Sequence, residues 1–413
     1  MTSAGGSALA AAEAAAEPPA APVPRARPRD RKRRIEEAAA VAFAERGYHA
    51  VGMQDIAAAV GISAPALYRH FPNKYQLFVR TAFGLAHRLV EATEPPASAP
   101  ADADPRAVLD ELLDAVIDTT VELRATGGIY RWEGRYLEAP DRAVLTGEFV
   151  LLRERFSERL AVLRPELDDV EQRWLALAAL SVVASITAHH TVVAARTLRT
   201  LLAEAAWRVL ELPVPVAASG AEVTASGPER EDDSRRERLI DSAVRLFAAR
   251  GYNDVTIEDL ATAVDLTPSG VYRHFENKSA LLLAACERAA VSLERAVLGA
   301  REHAASPADA VRELCRVYVQ HTFAHLALTR VYFAELGNLP AEDQRRLRAL
   351  QRAHVADWTA LLQSARPQLR GKEAAVLVHA GLNIVADQAP LLPVRDADAA
   401  DRLVALMGAA LGV

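Results

Sequence analysis

Cysteine, lysine and aromatic residues are all scarce in this chain of 413 residues. There are only two cysteines, Cys286 and Cys315. So few in so long a chain exclude a disulfide scaffold and point to a reducing, cytoplasmic compartment. No neighbouring motif supports thiol catalysis. A long apolar run is also missing. The longest, "LALAALSVVASITA", ends at His189 and His190 and is shorter than the roughly 18 residues of a membrane span. The Ala-rich start has no basic first segment and carries Glu13 and Glu17, so a signal peptide is not expected. Strand-like alternation is absent as well. Net charge is −6, which argues against indiscriminate affinity for nucleic acid but leaves room for a local basic patch. Of 48 basic side chains only Lys32, Lys74, Lys278 and Lys372 are lysines.

Two of those four lysines close the same phrase. "ALYRHFPNK" ends at Lys74 and "GVYRHFENK" at Lys278, 204 residues later. Tyr68 and Tyr272, Arg69 and Arg273, His70 and His274, Phe71 and Phe275, and Asn73 and Asn277 keep that offset. The chain is therefore internally duplicated. A weaker echo at an offset of 202 pairs "GIYRWEGRYL" with "RVYFAELGNL", setting Tyr130 against Tyr332 and Glu133 against Glu335.

Composition divides the rest. Residues 1–29 are Ala- and Pro-rich and read as a disordered tail; 213–233 read as a linker. Between the breaks almost every stretch has helical spacing, so the fold class is all-α: segments 30–90 and 234–294 are small helical units, and 105–212 and 306–413 larger ones. In the first small unit, Ile35, Ala39, Ala42 and Phe43 share a helix face and Gly47 suits its C-terminal stop. "MQDIAAAV", a turn at Gly61 and a helix from Ser63 follow, with Ser63 as cap and Pro65 in the first turn. Thr267 and Pro268 repeat those roles. Ile56, Ala57, Val60, Ile62, Leu67 and Phe71 have the spacing of a small core, and Leu260, Ala261, Val264, Leu266, Val271 and Phe275 are their apolar equivalents. Two short helices joined by a tight turn behind a supporting helix make a helix-turn-helix.

With the third helix included, "FAERGYHAVGMQDIAAAVGISAPALYRHFPNK" and "FAARGYNDVTIEDLATAVDLTPSGVYRHFENK" each resemble the N-terminal domain of the TetR/AcrR family of transcriptional regulators. The resemblance covers roughly fifty residues per copy; the larger units match only in being helical and of suitable length. It implies two tandem units, each a DNA-binding helix-turn-helix followed by a helical ligand-binding and dimerisation domain. It also implies that the helix from Ser63 enters the major groove of double-stranded operator DNA, with Ala64, Pro65 and Ala66 nearest the bases. Tyr68 and His70 would reach phosphates, and Lys74 would add a cation and a backbone N–H. Thr267, Pro268, Ser269, Gly270, Tyr272, His274 and Lys278 would do the same in the second copy. Neither helix start offers a bidentate donor for guanine or adenine, leaving Arg69 and Arg273 as the candidates for further base or phosphate contacts.

Family members usually pair as homodimers, so a chain with two heads is expected to form an internal pseudo-dimer, with further self-association open. The heads differ in charge. From Arg25 to Arg88 twelve Lys/Arg face five Asp/Glu, a balance of +7; from Glu229 to Ser292 nine face twelve, a balance of −3. Only the first has a basic arm, "RARPRDRKRR", of a kind that could follow a minor groove.

The resemblance implies a small-molecule effector site in the larger units. Candidate lining residues are Tyr130, Glu133, His189, His190, His321, His325, Tyr332, Glu335, His379 and Asn383, with Trp132 read as core. His189 and His190 interrupt an apolar segment, His321 and His325 stand four apart, and His379, Asn383 and Asp387 form a polar row in "HAGLNIVAD". No complete metal set, nucleophile elbow or phosphate loop appears, so no cofactor, metal or catalytic residue is expected. The functional expectation is a cytoplasmic, nucleoid-associated repressor released by an effector. Alternatives are an effector-independent architectural binder, an adaptor that lost DNA contact, and a metallohydrolase using His321 and His325.

Overall fold

The computed structural model of the chain describes residues 28–95, 104–213, 235–336 and 339–413. The proposed tail before residue 28 and nearly all of the linker lie outside them. Among the described residues all regular structure is helical, in two runs of nine α-helices. The first comprises α1 (Pro28–Arg46), α2 (Met53–Ala59), α3 (Ala64–Tyr68), α4 (Lys74–Ala92), α5 (Pro105–Glu122), α6 (Ile129–Glu133), α7 (Ala139–Leu163), α8 (Asp169–Ala184) and α9 (Ala195–Leu210). The second comprises α10 (Arg235–Arg250), α11 (Ile257–Thr262), α12 (Pro268–Tyr272), α13 (Lys278–His303), α14 (Pro307–Ala324), α15 (Leu326–Glu335), α16 (Ala341–Ala365), α17 (Gly371–Gln388) and α18 (Ala397–Leu411).

Each head has its own core. Ile35, Phe43, Ile56, Leu67, Leu77 and Phe78 pack together in the first, and Leu239, Phe247, Leu260, Val271, Leu281 and Leu282 in the second. Each such side chain contributes about 1.5–3 kcal/mol on burial. Both cores recruit the same three positions from the larger units: Ile129, Leu137 and Leu145 in the first, and Val331, Leu339 and Leu347, 202 residues later, in the second. The weaker sequence echo thus marks the surface on which each head sits.

The larger units do not keep separate cores. Buried residues of α5, α7, α8 and α9 form one continuous cluster with those of α14, α16, α17 and α18. α17 packs against α8, α9 and α18 at its centre. Asn383 of α17 donates from Nδ2 to the carbonyl of Ser181 in α8 at 2.8 Å. These two positions are equivalent at the 202-residue offset, so matching places of the two larger units meet here. α17 heads the segment Gly371–Leu391, the one described stretch apolar and long enough to cross a membrane, a property the sequence reading did not assign to it; 61% of that window is buried inside the fold.

The basic arm overlaps the first helix: Arg31, Lys32, Arg33 and Arg34 belong to α1, where Arg33 pairs with Glu37 one turn on. One local expectation, that of a helix through the histidine pair, needs correction. His189 and His190 do not interrupt a helix, because α8 ends at Ala184 and a 3-10 turn over Ser185–Thr187 leads into the loop that carries them.

Candidate nucleic-acid interface

Each head aims one polar surface outward, and local chemistry sets its direction. Ser63 Oγ accepts from Ala66 N at 3.4 Å and Thr267 Oγ1 from Gly270 N at 3.2 Å, starting α3 and α12 at the prolines. Leu67 and Phe71, like Val271 and Phe275, then face inward. Their neighbours must point out. Tyr68 is 49% exposed and Tyr272 55%, large values for aromatic rings. Arg69 and Arg273 are exposed beside them, as are Pro65, Pro268 and Ser269; His70 is half-buried and His274 exposed. Ala64, Ala66 and Gly270 are partly covered. Apart from the two lysines, the predicted DNA-facing residues therefore gather at two matching surfaces, one per head.

The lysines sit differently from expectation. Lys74 Nζ lies 4.4 Å from the centroid of the Tyr48 ring and 3.4 Å from the carbonyl of His49. Lys278 Nζ lies 4.3 Å from the Tyr252 ring and donates to the carbonyls of Tyr252 at 2.5 Å and Val255 at 2.8 Å. Each ammonium is turned back onto the loop between the first two helices of its head. Burial lowers the Lys74 pKa despite the opposing pull of Asp55 and Glu133. The recurrence of lysine thus has an architectural cause: a compact donor ties two segments together through carbonyls. Asn73 and Asn277 recur for a reason the sequence reading missed. Their Oδ1 atoms accept from Gln76 N and Ala280 N at 2.8 Å, capping α4 and α13. A cation over the inner phenylalanine also recurs, Lys32 at 5.4 Å from Phe71 and Arg236 at 4.9 Å from Phe275.

Two cavities of the fold lie away from the predicted effector residues. A groove of about 670 Å³ between α13 and α14 is lined by Ala296, Gly299, Ala300, Arg312 and Arg316 among others, and a gap of about 20 Å³ by Trp174, Leu212 and Arg402 among others. None of the predicted residues borders either. Glu133 accepts instead from Tyr48 N at 2.9 Å, joining α6 to the first head. Tyr130 packs on Phe149, with ring centroids 4.8 Å apart. Next to it Arg131 makes a two-pronged pair with Asp387 at 2.6 and 3.0 Å, and Asn383 Nδ2 donates to the same carboxylate at 3.0 Å. Burial opposes the charge of Arg131, but Asp387 more than offsets it and holds the guanidinium above its ordinary pKa. Sequence reasoning named Asp387 in a polar row but missed its partner. The side chains of Trp132 and Glu335 lie outside the described residues.

The histidines separate into two groups. His189 is buried and stacks on His379 across the shared core, with centroids 4.0 Å apart and planes 10° apart. Its Nδ1 accepts from Thr191 N at 3.1 Å and faces Arg124 at 3.2 Å, so the proton belongs on Nε2. Burial, with charge from His379 and Arg124, pushes its pKa down to about 2; burial and Arg124 push His379 down to about 4. Both rings are neutral at physiological pH. His190 is exposed. His321 and His325 have rings 4.6 Å apart, but His325 is the C-cap of α14, and Tyr332 donates its hydroxyl towards Gln351 at 3.3 Å. Among the described residues no group of three or more His, Cys, Asp or Glu is placed to hold a metal ion.

Residues 35–81 and 239–285 each match the family described as bacterial regulatory proteins, tetR family. Residues 304–382 match the tetracyclin repressor-like C-terminal domain. Over 55 residues the chain is 40% identical to the uncharacterized HTH-type transcriptional regulator YerO of Bacillus subtilis (strain 168), covering 13% of this chain and 19% of that protein. Over 50 residues it is 47% identical to the HTH-type transcriptional activator FasR of Mycolicibacterium smegmatis, covering 12% and 23%. The matches thus span about a fifth of these relatives' length. Among solved structures, a TetR-family regulator from Bordetella parapertussis 12822 is similar with a TM-score of 0.39 at 22% identity, covering 42% of this chain and 93% of that one. PfmR from Thermus thermophilus gives 0.38 at 23%, covering 41% and 96%.

Proposed function

We propose, from the premise that this chain belongs to the tetR family of bacterial regulatory proteins and carries two of its amino-terminal domains in tandem, that it is a cytoplasmic transcriptional regulator gripping one double-stranded operator with both heads as a covalent pseudo-dimer. The observation that carries this reading is the pair of matching Tyr-Arg-His surfaces on heads seated at equivalent positions of one shared core. Tyr68 and Arg69, with Tyr272 and Arg273, contact the duplex; α3 and α12 lie in the major groove. The first head, with its +7 balance and the basic turns of α1, supplies most of the counterion-release affinity, and the second adjusts specificity. Pro65 stands where the second head has Ser269, so the two half-sites need not be palindromic. Binding represses by occluding the promoter.

The test is selection of genomic DNA fragments by the wild type and by two variants, Tyr68→Ala/Arg69→Ala and Tyr272→Ala/Arg273→Ala. A bipartite site that loses one half with each variant is expected. The first-head variant should weaken binding the more, by about tenfold or greater, with a salt slope lower by about 1. Equal losses would sink the division of labour, and no selective retention by the wild type would sink the regulator.

Release by a small molecule is the second part of the proposal, supported by the C-terminal match over 304–382. The rival reading is an effector-independent binder, to which the protein partners of Glu133 and Asp387 are equally suited. Effector dependence predicts a compound that both raises the melting temperature and releases the selected DNA.

A further inference from the structure

We infer that Arg131 and Asp387 are positioning residues that connect the placement of the first head to α17 of the second unit, an inference that rests on the reading above only for its consequence at DNA. The links are continuous. Tyr48 N, in the loop of the first head, donates to Glu133 at 2.9 Å. Glu133 ends α6, and two residues earlier Arg131 reaches across the unit boundary to Asp387 at 2.6 and 3.0 Å. The pair is well covered, its side chains 13% and 24% exposed, so water competes little for it. Asp387 is in turn held by Asn383, which is bonded to Ser181 O where the two larger units meet. A shift or rotation of α17 therefore drags α6, and α6 drags the loop that leads into the helix-turn-helix.

The connection runs in one direction between the units. At the 202-residue offset the counterpart of Asp387 is Ser185, a buried hydroxyl donating to Val182 O, three residues back, at 2.7 Å. The counterpart of Arg131 is Phe333. Neither can form the reciprocal ion pair. In an ordinary homodimer any cross-subunit pair occurs twice by symmetry; here, among the described residues, one remains. The second unit's core helix therefore biases the first head, and among the described residues no ion pair joins α8 to the second head.

The experiment reads head spacing without DNA. Spin labels at Ala58→Cys and Thr262→Cys, equivalent exposed sites of α2 and α11, report the distance between heads by pulsed dipolar spectroscopy; the native Cys286 and Cys315 are buried. Asp387→Asn and Glu133→Gln should each broaden or shift the distribution to the same degree. The double variant should go no further, because the two links act in series. A merely structural role would instead lower the melting temperature additively and leave the distribution of folded molecules unchanged. That result, or an additive change in spacing, would overturn the inference. Where Asp387→Asn does not fold, Arg131→Met/Asp387→Leu takes its place, since it leaves no buried charge alone, and the same outcomes decide. Absence of DNA binding would defeat the proposed function without touching this readout. If both stand, Asp387→Asn weakens the half-site read by the first head more than the other.

Discussion

The two heads share their turns, caps and inner aromatics but differ in how firmly those parts are fixed. Gly47 and Gly251 both end the first helix with φ of +80° and +84°, and both lysines close the loop that follows. The helix-turn-helix turn itself is made by Gly61 at φ +68° in the first head and by Asp265 at φ +56° in the second. A left-handed residue with a Cβ costs about 1–2 kcal/mol, so the second head is strained where the first is not. The second recovers stability at the start of its second helix. Thr256 caps α11 and Asp259 answers it, both at about 3 Å, whereas Gly52 has no side chain with which to cap α2. Arg250 lies 3.1 Å from Asp259, while its counterpart Arg46 lies 3.8 Å from Asp55. The second head thus ties the start of its second helix to itself more closely than the first head does. Attachment differs too. Tyr75 donates its hydroxyl to Asp141 at 2.5 Å and accepts from Glu138 N at 2.8 Å, fastening the first head to the start of α7; Ser279 stands at that place in the second. Equal folds therefore do not imply equal mechanical roles.

That comparison can be broken or sharpened by substitution. The largest effect is expected from Tyr75→Phe, which removes a hydrogen bond to a carboxylate and should destabilise the first head by about 1.5–2 kcal/mol, read by hydrogen exchange of α3 and α4 amides in the intact chain. Unchanged exchange would mean that the apolar contacts at Ile129, Leu137 and Leu145 suffice. A smaller, opposite effect is expected at the turns. Asp265→Gly should stabilise the second head by about 1 kcal/mol, and Gly61→Ala should cost the first a similar amount. No atom lies within 4 Å of a Cβ added at Gly61, so its cost would be purely conformational. The smallest is Gly52→Thr, which installs the missing cap and should gain a few tenths of a kcal/mol in the first head, measured by the same amide exchange in α2. Its new Cβ would meet Asp55 Oδ2 at 3.3 Å, a flexible side chain able to yield.

The all-α class, both heads, their caps at Ser63 and Thr267 and their inward Phe71 and Phe275 could be read directly from the chain, because short-range periodicity and capping chemistry are local. The outward placement of Tyr68 and Tyr272 was what the family resemblance implied. The lysines show the limit. Their recurrence was visible, but not that a ring and loop carbonyls some 25 residues back along the chain would take the ammonium. The larger units were less legible still. Glu133, Asn383 and Asp387 stood out as polar residues in apolar surroundings, and burial does require partners for them. Which partner each finds is a matter of distant contacts: a backbone amide 85 residues away for Glu133, a carbonyl 202 away for Asn383, a guanidinium 256 away for Asp387.

Sequence by itself therefore determined the duplication, the helical class, the two helix-turn-helix heads and their imbalance of charge, since all of these reside in local pattern and composition. Only the tertiary structure decided which buried residues of the two larger units make one shared core, that Lys74 and Lys278 turn back onto the loops of their own heads, and that Arg131 and Asp387 form an ion pair between the units. Those outcomes depend on which faces meet when the two copies pack, and once the copies have diverged, Ser185 cannot do what Asp387 does.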